Sequence, residues 1–135
     1  MKIYFAGSIR AGRDNKEIYS KIIDLLKEYG EVLTEHVGHQ DLTDHGEDLS
    51  DDFIYERDMD WLRQSDVLVA DVSVPSIGVG YEIASAGSLN KKVLCLYKKG
   101  SPKRISGMIN GNKNLKVGTY ESIEDLAQII EDFLK

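Results

Sequence analysis

Two hydrophobic rhythms alternate along this 135-residue chain. Short β-branched and apolar runs, as in strands covered on both faces, occur at Lys2 to Ala6, Glu31 to Thr34, Asp66 to Asp71, Lys92 to Tyr97 and Leu115 to Thr119. Between them apolar residues return every three or four positions, the spacing of an amphipathic helix. The first helix is capped by Asp14 or Asn15, carries Ile18, Ile22, Leu25 and Leu26 on one face and runs to about Tyr29, with Gly30 suited to the C′ position. The second opens at Asp51 or Asp52 and runs through Gln64, with Ile54, Met59 (or Asp58) and Leu62 turned inward. Tyr81 to Asn90 has helical spacing and small residues. The last helix is capped by Ser122, has Asp125 where a capping box carries Glu or Gln, and faces the core with Ile123, Leu126, Ile129, Ile130, Phe133 and Leu134. His36 to Asp52 is polar, acidic and glycine-punctuated, which predicts a surface loop; Lys98 to Asn114 is basic, with room for a short helical turn at Arg104 to Ile109.

Strands alternating with helices predict an α/β fold: a single-domain Rossmann-like or flavodoxin-like three-layer sandwich over residues 1–135. Right-handed crossovers then favour a five-stranded parallel sheet in the order 2-1-3-4-5. Such sheets bind ligands outside the carboxyl ends of their strands, where the order reverses. The loop after strand 1, Gly7 to Gly12, and the loop after strand 3, Pro75 to Gly80, become two lips of one crevice.

The second lip holds one proline and two glycines, so it reads as a tight strand-to-helix turn with unusual backbone angles. A helix start there leaves N–H groups unpaired, a place for an anion. Ser8 and Arg10 from the first lip and Ser76, Gly78 and Gly80 from the second offer hydroxyl, guanidinium and bare amides for a phosphate or carboxylate. Arg10 is equally readable as a solvated loop charge. Glu82, in the first turn or two of the helix, is either an N-terminal helix stabiliser or a catalytic carboxylate. Asp58 lies on the apolar side of the second helix, and with Glu82 it makes the two-carboxyl arrangement of glycosyl transfer. Tyr4 lines the crevice or packs in the sheet. The chain has neither G-x-G-x-x-G nor a P-loop.

Charge and composition narrow the classes. A net charge of −6 argues against nucleic-acid or membrane-surface partners, while local groups still suit a small anion. No stretch approaches the length of a membrane span, and no signal peptide is visible, so a cytoplasmic protein is expected. The one cysteine, Cys95, lies in an apolar run and reads as a buried structural thiol. His36, His39 and His45 lack a third ligand at a recognisable spacing, and Glu47, Asp48, Asp51 and Asp52 lack a Ca²⁺-loop pattern; solvated polarity is the reading of both, and no metal or cofactor is expected.

The runs YFAGSIR at 4–10, LTEH at 33–36, D-x-x-WL at 58–62, SIGVGYE at 76–82 and RISGM at 104–108 together resemble the 2′-deoxynucleoside 5′-phosphate N-hydrolases, the monophosphate-specific branch of the nucleoside deoxyribosyltransferase superfamily. The resemblance spans nearly the whole chain. It implies that Glu82 is the nucleophile forming a deoxyribosyl-enzyme ester, that Asp58 assists departure of the base, and that Tyr4 positions the nucleophile and sugar. It implies that Gly7, Ser8, Ile9, Arg10, Ser76, Gly78 and Gly80 bind substrate around its 5′-phosphate. Ser106 (phosphate) and Met108 (base) would be supplied by a neighbouring subunit of a homodimer. In the nucleoside-handling branch an acidic residue stands six positions before the nucleophile; Ser76 occupies that place here and favours a phosphorylated substrate, with water as acceptor. The implied activity is hydrolysis of deoxynucleoside 5′-monophosphates to deoxyribose 5-phosphate and free base. Base exchange between deoxynucleosides and a weakly active nucleotide-binding module are the alternatives.

Overall fold

The computed structural model of the chain describes residues 1–9, 13–38 and 49–135. Its strands β1 (Lys2–Ala6), β2 (Glu31–Val32), β3 (Val67–Asp71), β4 (Lys92–Lys98) and β5 (Lys116–Tyr120) form one parallel sheet in the order β2-β1-β3-β4-β5, as expected. The helices are α1 (Arg13–Lys27), α2 (Asp51–Gln64), α3 (Ile77–Ser88), the short α4 (Gly107–Asn110) and α5 (Ile123–Leu134).

Because successive strand side chains point to opposite faces, β1 serves both layers. Ile3 and Phe5 enter the layer under α1 and α5, with Val67, Val69, Leu94 and Leu96. Tyr4 and Ala6 enter the layer under α2 and α3, with Leu68, Ala70 and Cys95. This parity carries a tyrosine of β1 to the α3 side, where the site forms. Cys95 is fully buried and free, and loss of water lifts its thiol to about 12.

Several boundaries differ from the periodicity. Strand β2 has two residues, because the chain turns at Thr34, whose hydroxyl accepts from Phe5 N at 2.8 Å and donates to Phe5 O at 2.7 Å. Part of the predicted loop is a 3₁₀ turn, Glu35–Gly38, held by the burial of Val37. Helix α1 ends at Lys27, and Tyr29 N reaches Leu26 O at 2.9 Å in a tightened last turn. Gly30 is therefore no left-handed cap: a Cβ on it would sit 2.2 Å from the Met1 carbonyl, whose oxygen accepts from Glu31 N. Ser50, one residue before the acidic pair, caps α2. The capping box of Ser122 and Asp125 forms as expected.

The largest correction falls on the second lip. Helix α3 begins at Ile77, so Gly78 and Gly80 are helical rather than parts of a tight turn with unusual backbone angles, and the Gly80 amide, expected bare, donates to Ser76 O at 3.1 Å. Among the described residues positive φ occurs only at Asn90 and Gly100.

Candidate active site

The parallel pairing of β1 with β3, followed by α3, brings Tyr4 to Glu82. The Tyr4 hydroxyl, nearly sealed from solvent, donates to Glu82 Oε2. Glu82 lies in the second turn of α3, past the unpaired N–H groups, and bonds a distant strand, which disfavours its reading as a helix-end stabiliser. Burial lifts its carboxyl from 4.5 to about 7; the Tyr4 bond opposes the lift and the charge of Asp58 adds to it. Burial, together with the charges of Glu82 and Asp58, drives the Tyr4 phenol far above its ordinary value, so it stays a proton-bearing donor.

Asp58 comes from α2 and is half-buried. Arg57 holds it with Nη2 at 3.0 Å and Nε at 3.0 Å from Oδ1. The guanidinium in turn lies 4.8 Å from the Trp61 ring centroid, and the His36 ring sits 5.5 Å from the same indole. Such stacking orients the arginine and, through it, the carboxylate. Asp60 accepts from Gln64 at 2.7 Å on the exposed side and stands apart. Glu82 and Asp58 share a cleft of about 430 Å³ whose other walls include Ile54, Tyr55, Met59 and Tyr81. These four walls were not singled out from the sequence; Ile54 and Met59 were legible only as core positions, and the Tyr55–Tyr81 edge contact, 6.4 Å between centroids, joins two helices.

On the second lip Ser76 caps α3, its Oγ accepting from Val79 N at 3.3 Å. That bond uses an oxygen lone pair and leaves the hydroxyl hydrogen available to an anion. On the first lip Gly7 and Ser8 are buried and Ile9 is half-buried. Ser8 N donates to the Tyr19 hydroxyl at 3.1 Å, and a Cβ on Gly7 would lie 2.8 Å from the Tyr19 ring. Tyr19 thus sets the height of this lip. Its place three residues before Ile22 was the available signal. Arg10 lies outside the described residues, as do His39, His45, Glu47 and Asp48.

Ser106 caps α4 and lines a separate cleft of about 380 Å³ with Ser76, Gly80, Arg104 and Ile109. Met108, 86% exposed, lines a groove beside Gly80, Ala84 and Gly87. Neither of these hollows has Glu82 or Asp58 in its lining, and the first sets Ser106 beside Ser76 of the same copy. Among the described residues no group of three potential metal ligands occurs, and no helix is long and apolar enough to cross a membrane.

Comparison with known proteins gives this chain its relatives. The sequence model of the family described as nucleoside 2-deoxyribosyltransferase matches residues 3–120. The 5-hydroxymethyl-dUMP N-hydrolase of Tetraodon nigroviridis is 49% identical over 98% of the chain and 96% of its own length. The protein of the same name in Homo sapiens is 43% identical over 90% of the chain and 73% of its own length. Among solved structures, the Clostridium botulinum CMP N-glycosidase shares the fold with a TM-score of 0.67 at 20% identity, covering 98% of this chain and 99% of that one. A 2-deoxyribosyltransferase from Bacillus psychrosaccharolyticus does so with a TM-score of 0.69 at 18% identity, covering 94% and 90%.

Proposed function

The chain belongs to the nucleoside 2-deoxyribosyltransferase family, and from that premise we propose that it is an N-glycosidase hydrolysing 2′-deoxynucleoside 5′-monophosphates to deoxyribose 5-phosphate and free base. The observation that carries the reading is the Glu82 carboxylate, held by Tyr4 and facing a cleft it shares with Asp58. The names of the relatives, identical at up to 50%, supply the substrate class, and 5-hydroxymethyl-dUMP is the first compound to test.

In this mechanism Tyr4 occupies Oε2 and leaves Oε1 of Glu82 to attack the anomeric carbon. The bond to the base nitrogen breaks, its electron pair leaves with the base, and Asp58 assists that departure. Water then attacks the same carbon, breaks the ester to Glu82 and gives deoxyribose 5-phosphate with retained configuration. The absence of a 2′-hydroxyl makes the oxocarbenium-like transition state easier to reach in a deoxy sugar. Gly7, Ser8, Ile9, Arg10, Ser76, Gly78 and Gly80 bind substrate around its phosphate. The 135 residues act as one domain, in the cytoplasm, where the free nucleotide pool lies.

A homodimer completes the site, a second copy supplying Ser106 to the phosphate and Met108 to the base. The exposure of Ile77 at 96% and Met108 at 86% supports a covering partner. Full activity from a sedimenting monomer would remove the second copy from the site.

The deciding experiment is chromatographic base release from deoxynucleoside monophosphates, with deoxynucleosides and ribonucleotides as controls. Release from deoxy monophosphates alone is expected. Release from unphosphorylated deoxynucleosides, accelerated by added free base, would make the chain a base-exchanging transferase instead. Tight binding with the nucleotide recovered intact would make it a binding module.

A further inference from the structure

Under the crevice, on the face of the sheet opposite Tyr4, lies a buried acid that the mechanism does not use. Asp71 ends β3 and is 1% exposed. Its Oδ2 accepts from the Tyr120 hydroxyl at 2.7 Å and its Oδ1 from Ser73 N at 2.9 Å. The Ser73 hydroxyl oxygen accepts from Lys98 N at 2.8 Å, and Val72 N reaches Leu96 O at 2.9 Å. The loop leaving β3 toward Ser76 is therefore stitched to the end of β4, with Asp71 as the knot. On the same side of the sheet, burial first and the charge of Asp71 second push up the phenol of Tyr19. Tyr19 is the residue on which Gly7 and Ser8 rest.

A carboxyl at this depth is a costly way to fill a strand position that valine or leucine would fill more cheaply. What it adds is direction: each oxygen takes a donor from a different segment. We propose that Asp71 is a positioning residue for phosphate binding, its bonds to Tyr120 and Ser73 fixing the loop that leads to Ser76 on the second lip. The proposal rests on the reading of the two lips as the phosphate cradle. Asp71 itself touches no ligand, because its oxygens are turned inward onto Tyr120 and Ser73.

The test uses the full chain and two readouts: calorimetric binding of inorganic phosphate, and KM and kcat for a deoxynucleoside monophosphate. Asp71→Val and Tyr120→Phe are expected to weaken phosphate binding and raise KM about five- to tenfold, the scale of one or two lost hydrogen bonds, with kcat changed less than about twofold. Asp71→Asn keeps an acceptor for Ser73 N and a polar partner for Tyr120, so it should remain within about threefold of the parent on both readouts. Should Asp71→Val fail to fold, Tyr120→Phe against Asp71→Asn decides. A lower melting temperature with phosphate affinity unchanged in Tyr120→Phe would make the network structural only and overturn the proposal; so would a fall in kcat at constant KM. A parent chain that binds phosphate but releases no base would defeat the hydrolase reading while leaving this comparison valid. A parent chain that binds no phosphate would overturn the cradle and the proposal together.

Discussion

Glu82→Gln is expected to lower base release about a thousandfold or more, while making the chain more stable above neutral pH. The first effect follows from losing the proposed nucleophile: a neutral amide of the same shape still accepts from Tyr4 but does not form the glycosyl ester. The second follows from the carboxyl's environment. An ordinary glutamate loses its proton near 4.5, whereas burial holds Glu82 protonated up to about 7. Between those values the folded chain binds more protons than the unfolded one, so stability falls as pH rises through the window and levels off above 7. At about 1.4 kcal/mol per pH unit, the lift amounts to roughly 3 kcal/mol. Gln carries no such penalty, so melting of the variant and the parent should coincide near pH 4 and separate at pH 8, the variant melting higher. The same titration governs activity: kcat/KM of the parent should rise about tenfold per pH unit up to about 7, as the carboxylate forms, and then flatten. A variant retaining more than about one per cent of activity would remove Glu82 as nucleophile; identical melting at pH 8 would mean that its carboxyl is ordinary.

Ser76→Asp is expected to reverse the preference for a phosphorylated substrate. Aspartate caps helices as well as serine does, so α3 should start at the same residue. What changes is the sign of the group beside the proposed phosphate site. The serine hydroxyl, its oxygen already accepting from Val79 N, offers a hydrogen; a carboxylate offers only negative charge. Two unit charges about 4 Å apart near a protein surface repel by about 4 kcal/mol, close to three orders of magnitude in kcat/KM. The monophosphate should lose that factor, and the matching deoxynucleoside, whose 5′-hydroxyl can donate to the new carboxylate, should lose nothing or gain. The ratio of the two kcat/KM values is the measurement. An equal fall for both substrates would reduce Ser76 to a helix cap, and an unchanged ratio would put the phosphate elsewhere.

The two lips were legible before the structure because strand order alone sends β1 and β3 to the reversal point, and the run from 76 to 82 lies between a strand and a helix. Asp58 was legible from its spacing to Leu62. The geometry of the second lip was misread: glycine and proline suggested a strained turn, yet Pro75 and Ser76 simply precede a regular helix start. Glycine marks freedom in φ or room for a neighbour, and composition does not distinguish the two. Gly30 was misread for the same reason, its need being the Met1 carbonyl rather than a left-handed cap.

By itself the sequence determined the alternation of strands and helices, the parallel order, both core faces of the sheet and the residue types available to the crevice. These depend on periods of two and of three to four residues, which a short window contains in full. Tertiary structure alone decided which of those residues meet. Tyr4 reaches Glu82 across 78 positions, and Tyr120 reaches Asp71 across 49. The lift of the Glu82 carboxyl and the inward turn of Asp71 arise from burial and from segments distant in the chain. No local pattern records them, because a pKa and a hydrogen bond depend on what surrounds a side chain in space.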